Sequence, residues 1–150
     1  MAFQIGGHPA FAVPFAGGEY SDYRIEFPKK VTAERHLLTE AGTYSGETQS
    51  VLQNTNQLKL EKQLFLEDAI VFKNFPLRSA SLIHAETGAG LRVDFEGFHH
   101  LGLWAAKDAD FVSTIIVCSH AKWSTTGHTR GNEANQWYIF YWATGVLSTL

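Results

Sequence analysis

The 150-residue chain has little charge, few prolines and almost no cysteine. Charged residues make up 18% of it and hydrophobic residues 45%, a balance that excludes a disordered tail and a coiled coil, which both need far more charge. The formal charge of −3 leaves no excess of basic residues to bind a phosphate backbone, so we expect no nucleic-acid partner. A chain of this length and composition predicts one packed globular domain.

The chain also lacks a long hydrophobic run. Residues 1–9 have neither a positively charged start nor an apolar run of signal-peptide length, and the weakly polar stretch 137–150 is too short and too polar to cross a bilayer. A single cysteine, Cys118, forms no internal disulfide and supplies no Cys-x-x-Cys pair. We therefore predict a cytoplasmic protein in a reducing compartment, with no membrane partner.

Strand signals dominate the residues that are present. Residues 20–27 alternate around Tyr23, Ile25 and Phe27, and residues 69–72 form a short apolar run. Segments 79–85 and 91–95 flank a loop with two glycines, which can take the positive φ that a hairpin of this loop length requires. The helical signal is weak: residues 32–40 offer a threonine cap but only two apolar anchors, which predicts a loop or one turn. Together, these signals predict an all-β, antiparallel fold class.

The composition changes abruptly after Val112. Residues 1–112 hold 24 of the 27 charged residues and all four prolines, whereas residues 113–150 hold three of the four tryptophans. Two interpretations remain open for residues 113–150: a pair of buried strands joined by a polar loop over 124–135, or a tail unrelated to the preceding part. We therefore divide the chain into residues 1–112 and a C-terminal tail, 113–150.

The segment Gly6-Gly7-His8-Pro9 places an imidazole between two flexible residues and a proline, a geometry that can hold a histidine at the rim of a sheet. Taken alone, a histidine is more often structural than catalytic. A metal site is not predicted, because the adjacent His99 and His100 would point to opposite faces of a strand. No cofactor is expected either, since the glycines at 88 and 90 precede a strand instead of a helix that would bind a phosphate.

Four segments, in order along the chain, resemble the aldose 1-epimerases, the galactose mutarotase-like proteins, and especially their LacX-type branch. They are residues 3–14, which contain His8-Pro9, and residues 21–27, 64–72 and 97–104. The resemblance covers about residues 2–112. It implies an antiparallel β-sandwich of the galactose mutarotase-like type, of which this chain would hold only the middle to C-terminal part.

The resemblance also implies an isomerase of carbohydrate metabolism that binds a hexose in an open cleft and interconverts its α and β anomers. In this chemistry a histidine acid protonates the ring oxygen while a glutamate base takes the proton of the anomeric hydroxyl. His8 matches the acid. Asp68 resembles the family's sugar-binding acidic residue, although it also fits a turn before the strand at 69–72. Phe11 and Trp104 are candidates for contacts with the apolar face of the sugar, or for the core.

The glutamate base that the resemblance implies has no counterpart in this sequence. The resemblance places it shortly after Phe111-Val112, yet no carboxylate occurs between Asp110 and Glu133. The chain alone is therefore expected to be inactive, which leaves three interpretations: an epimerase, a sugar-binding domain without turnover, or a truncated or frame-shifted remnant. Part of a sandwich would also leave strand edges unpaired, which a second copy or a companion chain would cover.

Overall fold

The computed structural model describes residues 2–122 and 148–149, which form an all-β structure with two 3-10 turns, Tyr20–Asp22 and Lys62–Phe65. Within these residues, no helix has the length and hydrophobicity needed to cross a membrane. The strands are β1 (Ala2–Gly7), β2 (Ala10–Ala12), β3 (Tyr23–Leu38), β4 (Tyr44–Lys59), β5 (Ile70–Phe72), β6 (Ser79–His84), β7 (Gly90–Asp94), β8 (His100–Trp104), β9 (Phe111–Lys122) and β10 (Ser148–Thr149).

The ten strands form one antiparallel sheet in the order β1-β9-β8-β5-β3-β6-β7-β10, with β2 also paired to β9 and β4 to β3. The predicted all-β antiparallel class is therefore confirmed. One edge of β9 pairs with β8, and the other pairs with β2 and then β1. In one row across this part of the sheet, Ala10 pairs with Ser113 and Ser113 pairs with Trp104.

Strand β3 follows the predicted alternation at its start, where Tyr23, Ile25 and Phe27 are buried. The strand then continues to Leu38, so the prediction of a loop or one turn over residues 32–40 is wrong. Residues of this segment pair with β4, and His36 pairs with Val71 of β5. Strand partners on both edges outweigh the weak local signal, because β structure depends on cross-strand packing more than on intrinsic preference.

The hairpin of β6 and β7 is confirmed, with Ser79 opposite Asp94 and Ile83 opposite Gly90. Its two glycines have different roles. Gly88 has a φ of +72°, the left-handed conformation that the turn needs. A Cβ at Gly90 would lie 2.9 Å from the carbonyl oxygen of Leu82, so this glycine permits a close approach of two strands.

Aromatic side chains fill the core between the elements. The ring of Phe75 lies 5.1 Å from that of Phe27 and 5.2 Å from that of Phe72. Tyr23 is fully buried, and its hydroxyl donates to the carbonyl of Gly17 at 2.9 Å and accepts the N–H of Ala16 at 2.8 Å. This buried hydroxyl ties the loop after β2 to the sheet.

The predicted boundary after Val112 falls inside β9. The ladder between β8 and β9 runs without a break from Trp104–Ser113 to His100–Val117, and Ser113, Thr114 and Ile116 are buried. The change of composition therefore begins within a strand of the sheet. The division at 112 stays a prediction, because Trp123, the polar loop 124–135 and the hydrophobic run 137–142 lie outside the described residues.

Gly6 and Gly7 lie in β1 with no positive φ, so they do not act there as flexible turn residues. A Cβ at Gly6 would be 2.7 Å from the carbonyl oxygen of Ile116, whereas one at Gly7 would make an ordinary contact of 3.4 Å with the Ile116 side chain. The backbone of β1 can therefore approach β9 only because residue 6 has no side chain.

The substitution Gly6→Ala is expected to lower the free energy of unfolding by about 1–3 kcal/mol, since the new methyl group must displace backbone. Gly7→Ala, the matched control, should change it by no more than about 0.5 kcal/mol. Urea unfolding followed by circular dichroism measures both variants. Equal losses in the two would contradict the close approach at Gly6.

Candidate functional site

His8 lies in the turn between β1 and β2, where the chain passes over β9. Its side chain is half-buried, and its Nδ1 lies 2.7 Å from the Oγ of Ser113. The Ser113 hydroxyl is also 2.9 Å from the carbonyl oxygen of Pro9, which accepts the N–H of Thr114 at 2.9 Å as well. The turn that carries the imidazole is thus fastened to β9 by both a side chain and the backbone.

Trp104 reaches the same place from the opposite edge of β9. It ends β8, pairs with Ser113 and is half-buried. Its ring meets the His8 ring edge-on, with centroids 6.3 Å apart and planes at 69°, and the Phe111 ring lies 5.7 Å away on β9. The structure therefore brings together two of the predicted site residues, His8 and Trp104.

Asp68 lies two residues before Ile70, which pairs with Leu103, so it sits at the end of β5 next to the end of β8 that carries Trp104. It is exposed, and its φ of +79° is uncommon for a residue other than glycine. Its Oδ1 accepts the N–H of Ala69 at 2.7 Å. Asp68 is thus a turn residue, and it also presents a carboxylate at the end of the sheet that holds the histidine and the indole.

Phe11 lies on β2 opposite Val112, and its half-buried ring packs against the hydrophobic core. Phe98 packs against the same core. A contact of Phe11 with a sugar stays a prediction.

An ion pair holds the turn that carries Asp68. Arg35 on β3 is 6% exposed, and its guanidinium pairs with the carboxylate of Glu67, whereas its Nε has no hydrogen-bond partner. The two residues are 32 positions apart, and only the partners that β3 acquires in the sheet bring them together. No local sequence signal marks this pair.

Ser113 was also absent from the sequence-based candidates. It lies 105 positions from His8 and on the far side of the predicted boundary, in a segment without the family's pattern. A small polar residue within the apolar run of β9, at Ser113-Thr114 before Ile115 and Ile116, is the one signal in the sequence that points to a buried hydrogen bond.

A separate cleft of about 680 Å³ is lined by Asp110, just before β9, and by none of the predicted site residues. Lys62 crosses it, with its Nζ 3.0 Å from Oδ1 of Asp110 and 5.7 Å from the centre of the Tyr20 ring. The Tyr20 hydroxyl donates to the carbonyl of Phe111 at 3.3 Å. Burial, with a smaller contribution from the charge of Asp110, raises the pKa of Tyr20 to about 12. The remaining lining residues are Pro14, Glu19, Ser21, Glu61 and Gln63.

Asp110, which immediately precedes β9, therefore forms an exposed ion pair with Lys62. The ion pairs among the described residues do not include His8. The same part of the chain contains no cluster of three or more residues able to hold a metal ion. What the arrangement provides is an oriented imidazole, an indole face beside it and a carboxylate at the end of the next strand.

No protein-family model matches the chain. It is 36% identical over 111 residues to the chromosomal protein LacX of Lactococcus lactis subsp. lactis and 37% identical to the plasmid-encoded LacX of the same organism. Each match covers 72% of this chain and 37% of the relative, so the chain spans little more than a third of the length of the curated relatives it matches.

Two solved structures share the fold. A galactose mutarotase related enzyme from Lactobacillus acidophilus superposes with a TM-score of 0.65, and a galactose mutarotase-like protein from Lactobacillus casei with 0.66. Both are 22% identical to this chain and are matched over 78% of it, which corresponds to 40% and 42% of their own lengths. The prediction of part of a galactose mutarotase-like fold is therefore confirmed.

The raised pKa of Tyr20 predicts a stability difference at alkaline pH. Because the phenol titrates near 12 in the folded protein and near 10.0 in the unfolded chain, its stabilising contribution is complete below pH 10 and is lost as the pH rises toward 12. The free energy of unfolding of the wild type should fall more steeply over this range than that of Tyr20→Phe. Urea titrations at several pH values measure how steeply the free energy of unfolding falls in each protein. Identical slopes would contradict the raised pKa of Tyr20.

Proposed function

We propose that this chain, which is similar to the LacX proteins and shares part of the galactose mutarotase-like fold, is an aldose 1-epimerase-like protein that binds a hexose at His8 and Trp104 and carries the acid of an anomer-interconverting site. The observation that carries the proposal is the convergence of these two side chains from opposite edges of β9, one from the turn between β1 and β2 and the other from β8. A small-molecule sugar is the proposed partner, and the cytoplasm the proposed location.

The histidine fits the role of the acid. Proton transfer to a ring oxygen requires an imidazole in a defined orientation within hydrogen-bond reach of that atom. The Ser113 contact holds one side of the His8 ring, and the edge-on contact with Trp104 restricts its rotation. The ring is half-buried, so part of it remains open to a ligand.

The other residues fit the recognition of a pyranose. The face of Trp104 is suited to the apolar C–H side of the ring, as indole faces combine a large apolar area with a rigid shape. A carboxylate such as Asp68 accepts hydrogen bonds from neighbouring hydroxyl groups through two oxygens, and only Oδ1 is engaged by the backbone. In this arrangement the sugar lies across the ends of β8 and β5.

Sugar binding without turnover is the second candidate function. It is favoured by a specific observation: Asp110, the carboxylate that immediately precedes β9, is paired with Lys62. Opening of the ring needs a base on the anomeric hydroxyl as well as an acid on the ring oxygen. We propose that a second copy or a companion chain would have to supply it, and would also cover β4, which pairs with β3 alone in the part of the chain described.

The chain by itself is expected to interconvert the anomers of glucose or galactose at close to the rate in buffer. Loss of one member of an acid–base pair costs about 10²- to 10⁴-fold in rate. Polarimetry on freshly dissolved α-glucose measures this, with His8→Asn as the matched control. A rate well above that of buffer that disappears in His8→Asn would show that another carboxylate acts as the base.

Binding is expected even without turnover. Saturation-transfer NMR should show galactose or glucose on the wild-type chain, and Trp104→Leu should weaken binding by up to about tenfold because the stacking face is lost. Asp68→Asn should also weaken it, whereas Asp94→Asn, an exposed carboxylate on β7, should not. Binding that Trp104→Leu and Asp68→Asn leave unchanged would place the sugar elsewhere on the molecule.

A further inference from the structure

We infer that Ser113 fixes His8 in the tautomer that carries its proton on Nδ1, which leaves Nε2 as the nitrogen that exchanges a proton with the ligand. The inference deepens the proposed function. Only the exchange of a proton with a ligand at Nε2 rests on that function, whereas the tautomer itself does not. Ser113 is then a positioning residue, supplied by the part of the chain that lies beyond the family-like segments.

The count of hydrogens around the Ser113 hydroxyl determines the tautomer. A serine hydroxyl has one hydrogen and two lone pairs. Its Oγ lies 2.9 Å from the carbonyl oxygen of Pro9, which can only accept, so the hydrogen of Ser113 is used in that bond. The contact of 2.7 Å with His8 must then be donated by the imidazole, so Nδ1 carries a hydrogen.

The opposite arrangement, with Ser113 donating to Nδ1, is disfavoured by burial. It would set the lone pairs of Oγ and the Pro9 carbonyl against each other at 2.9 Å, and Ser113 is 0% exposed, so bulk water has no access to its side chain. Two acceptors in contact without a hydrogen between them lose a bond and repel each other. The bond from Ser113 to Pro9 also orders the turn next to the imidazole.

Burial also defines what Ser113 does. A fully buried hydroxyl is not presented to a substrate, so Ser113 does not act as the nucleophile of a Ser–His pair. It accepts the Nδ1 hydrogen equally in the neutral imidazole and in the imidazolium, which both carry one there. His8 can therefore gain and release a proton at Nε2 without turning its ring, a useful property for a group that acts as an acid and is then reprotonated.

The test is the tautomer of His8, read by nitrogen-15 NMR on the full chain with labelled histidine. The side-chain signals are assigned by their disappearance in His8→Asn. At about pH 9, where imidazoles are neutral, Nδ1 should show the shift of a protonated ring nitrogen and Nε2 that of an unprotonated one. The reverse pattern in the wild type would overturn the inference without any further variant.

Substitutions show whether Ser113 is the cause. Ser113→Ala should remove the preference, so that the shifts of both nitrogens move toward the average of the two tautomers, and Ser113→Thr, which retains the hydroxyl, should preserve it. Ser79→Ala removes a hydroxyl that is also buried, but on β6, and should leave the His8 signals unchanged. An unchanged tautomer in a folded Ser113→Ala would refute the positioning role.

The readout needs neither turnover nor bound sugar. A chain that binds no hexose but shows the Nδ1–H tautomer would refute the proposed function and leave this inference standing. A chain that binds hexose through Trp104 but shows the Nε2–H tautomer would refute this inference and leave the proposed sugar binding standing.

Discussion

The candidate site depends on the pairing of β9 along both of its edges. One edge holds β8, which ends at Trp104, and the other holds β2 and β1, which place His8 above Ser113. The approach on the β1 side is close enough that a side chain at residue 6 would collide with backbone. A shift of β9 by one residue would turn Ser113 to the opposite face of the sheet and separate it from the imidazole, because side chains alternate along a strand.

Buried polar groups on the strands anchor the loops around this site. Tyr23 holds the loop after β2, Ser113 holds the turn at Pro9, and Arg35 holds the turn before β5 through Glu67. In each case a polar group without full access to water gains a partner from a loop, which makes both the group and the loop more rigid. Loops fixed in this way can present an imidazole and a carboxylate in constant positions, as a binding site requires.

In the proposed function, an acid without its base separates sugar binding from turnover. The imidazole, the indole and the Asp68 carboxylate are the groups we propose for recognition of a sugar, whereas ring opening needs proton transfers at two oxygens. The exposed carboxylate of Asp110 pairs with Lys62 in the cleft that Tyr20 also lines, and its charge contributes to the raised pKa of Tyr20.

The sequence by itself determined the class of the fold and several strands, because alternation with a period of two records which side chains a sheet will bury. The alternation at Tyr23, Ile25 and Phe27 predicted the start of β3 in this way, and the glycine-bearing loop predicted the hairpin of β6 and β7. Resemblance to a family, and not periodicity, singled out His8 and Asp68.

Only the tertiary structure decided which strand edges meet. It extended β3 through a segment with weak local preference, and it joined Arg35 to Glu67 and Ser113 to His8. Residues in the second pair are 105 positions apart, and nothing in the pattern around either one specifies the other. The pattern of a strand encodes which face is buried, but the partner and register of each edge follow from packing the whole sheet, so contacts made across those edges cannot be read from local sequence.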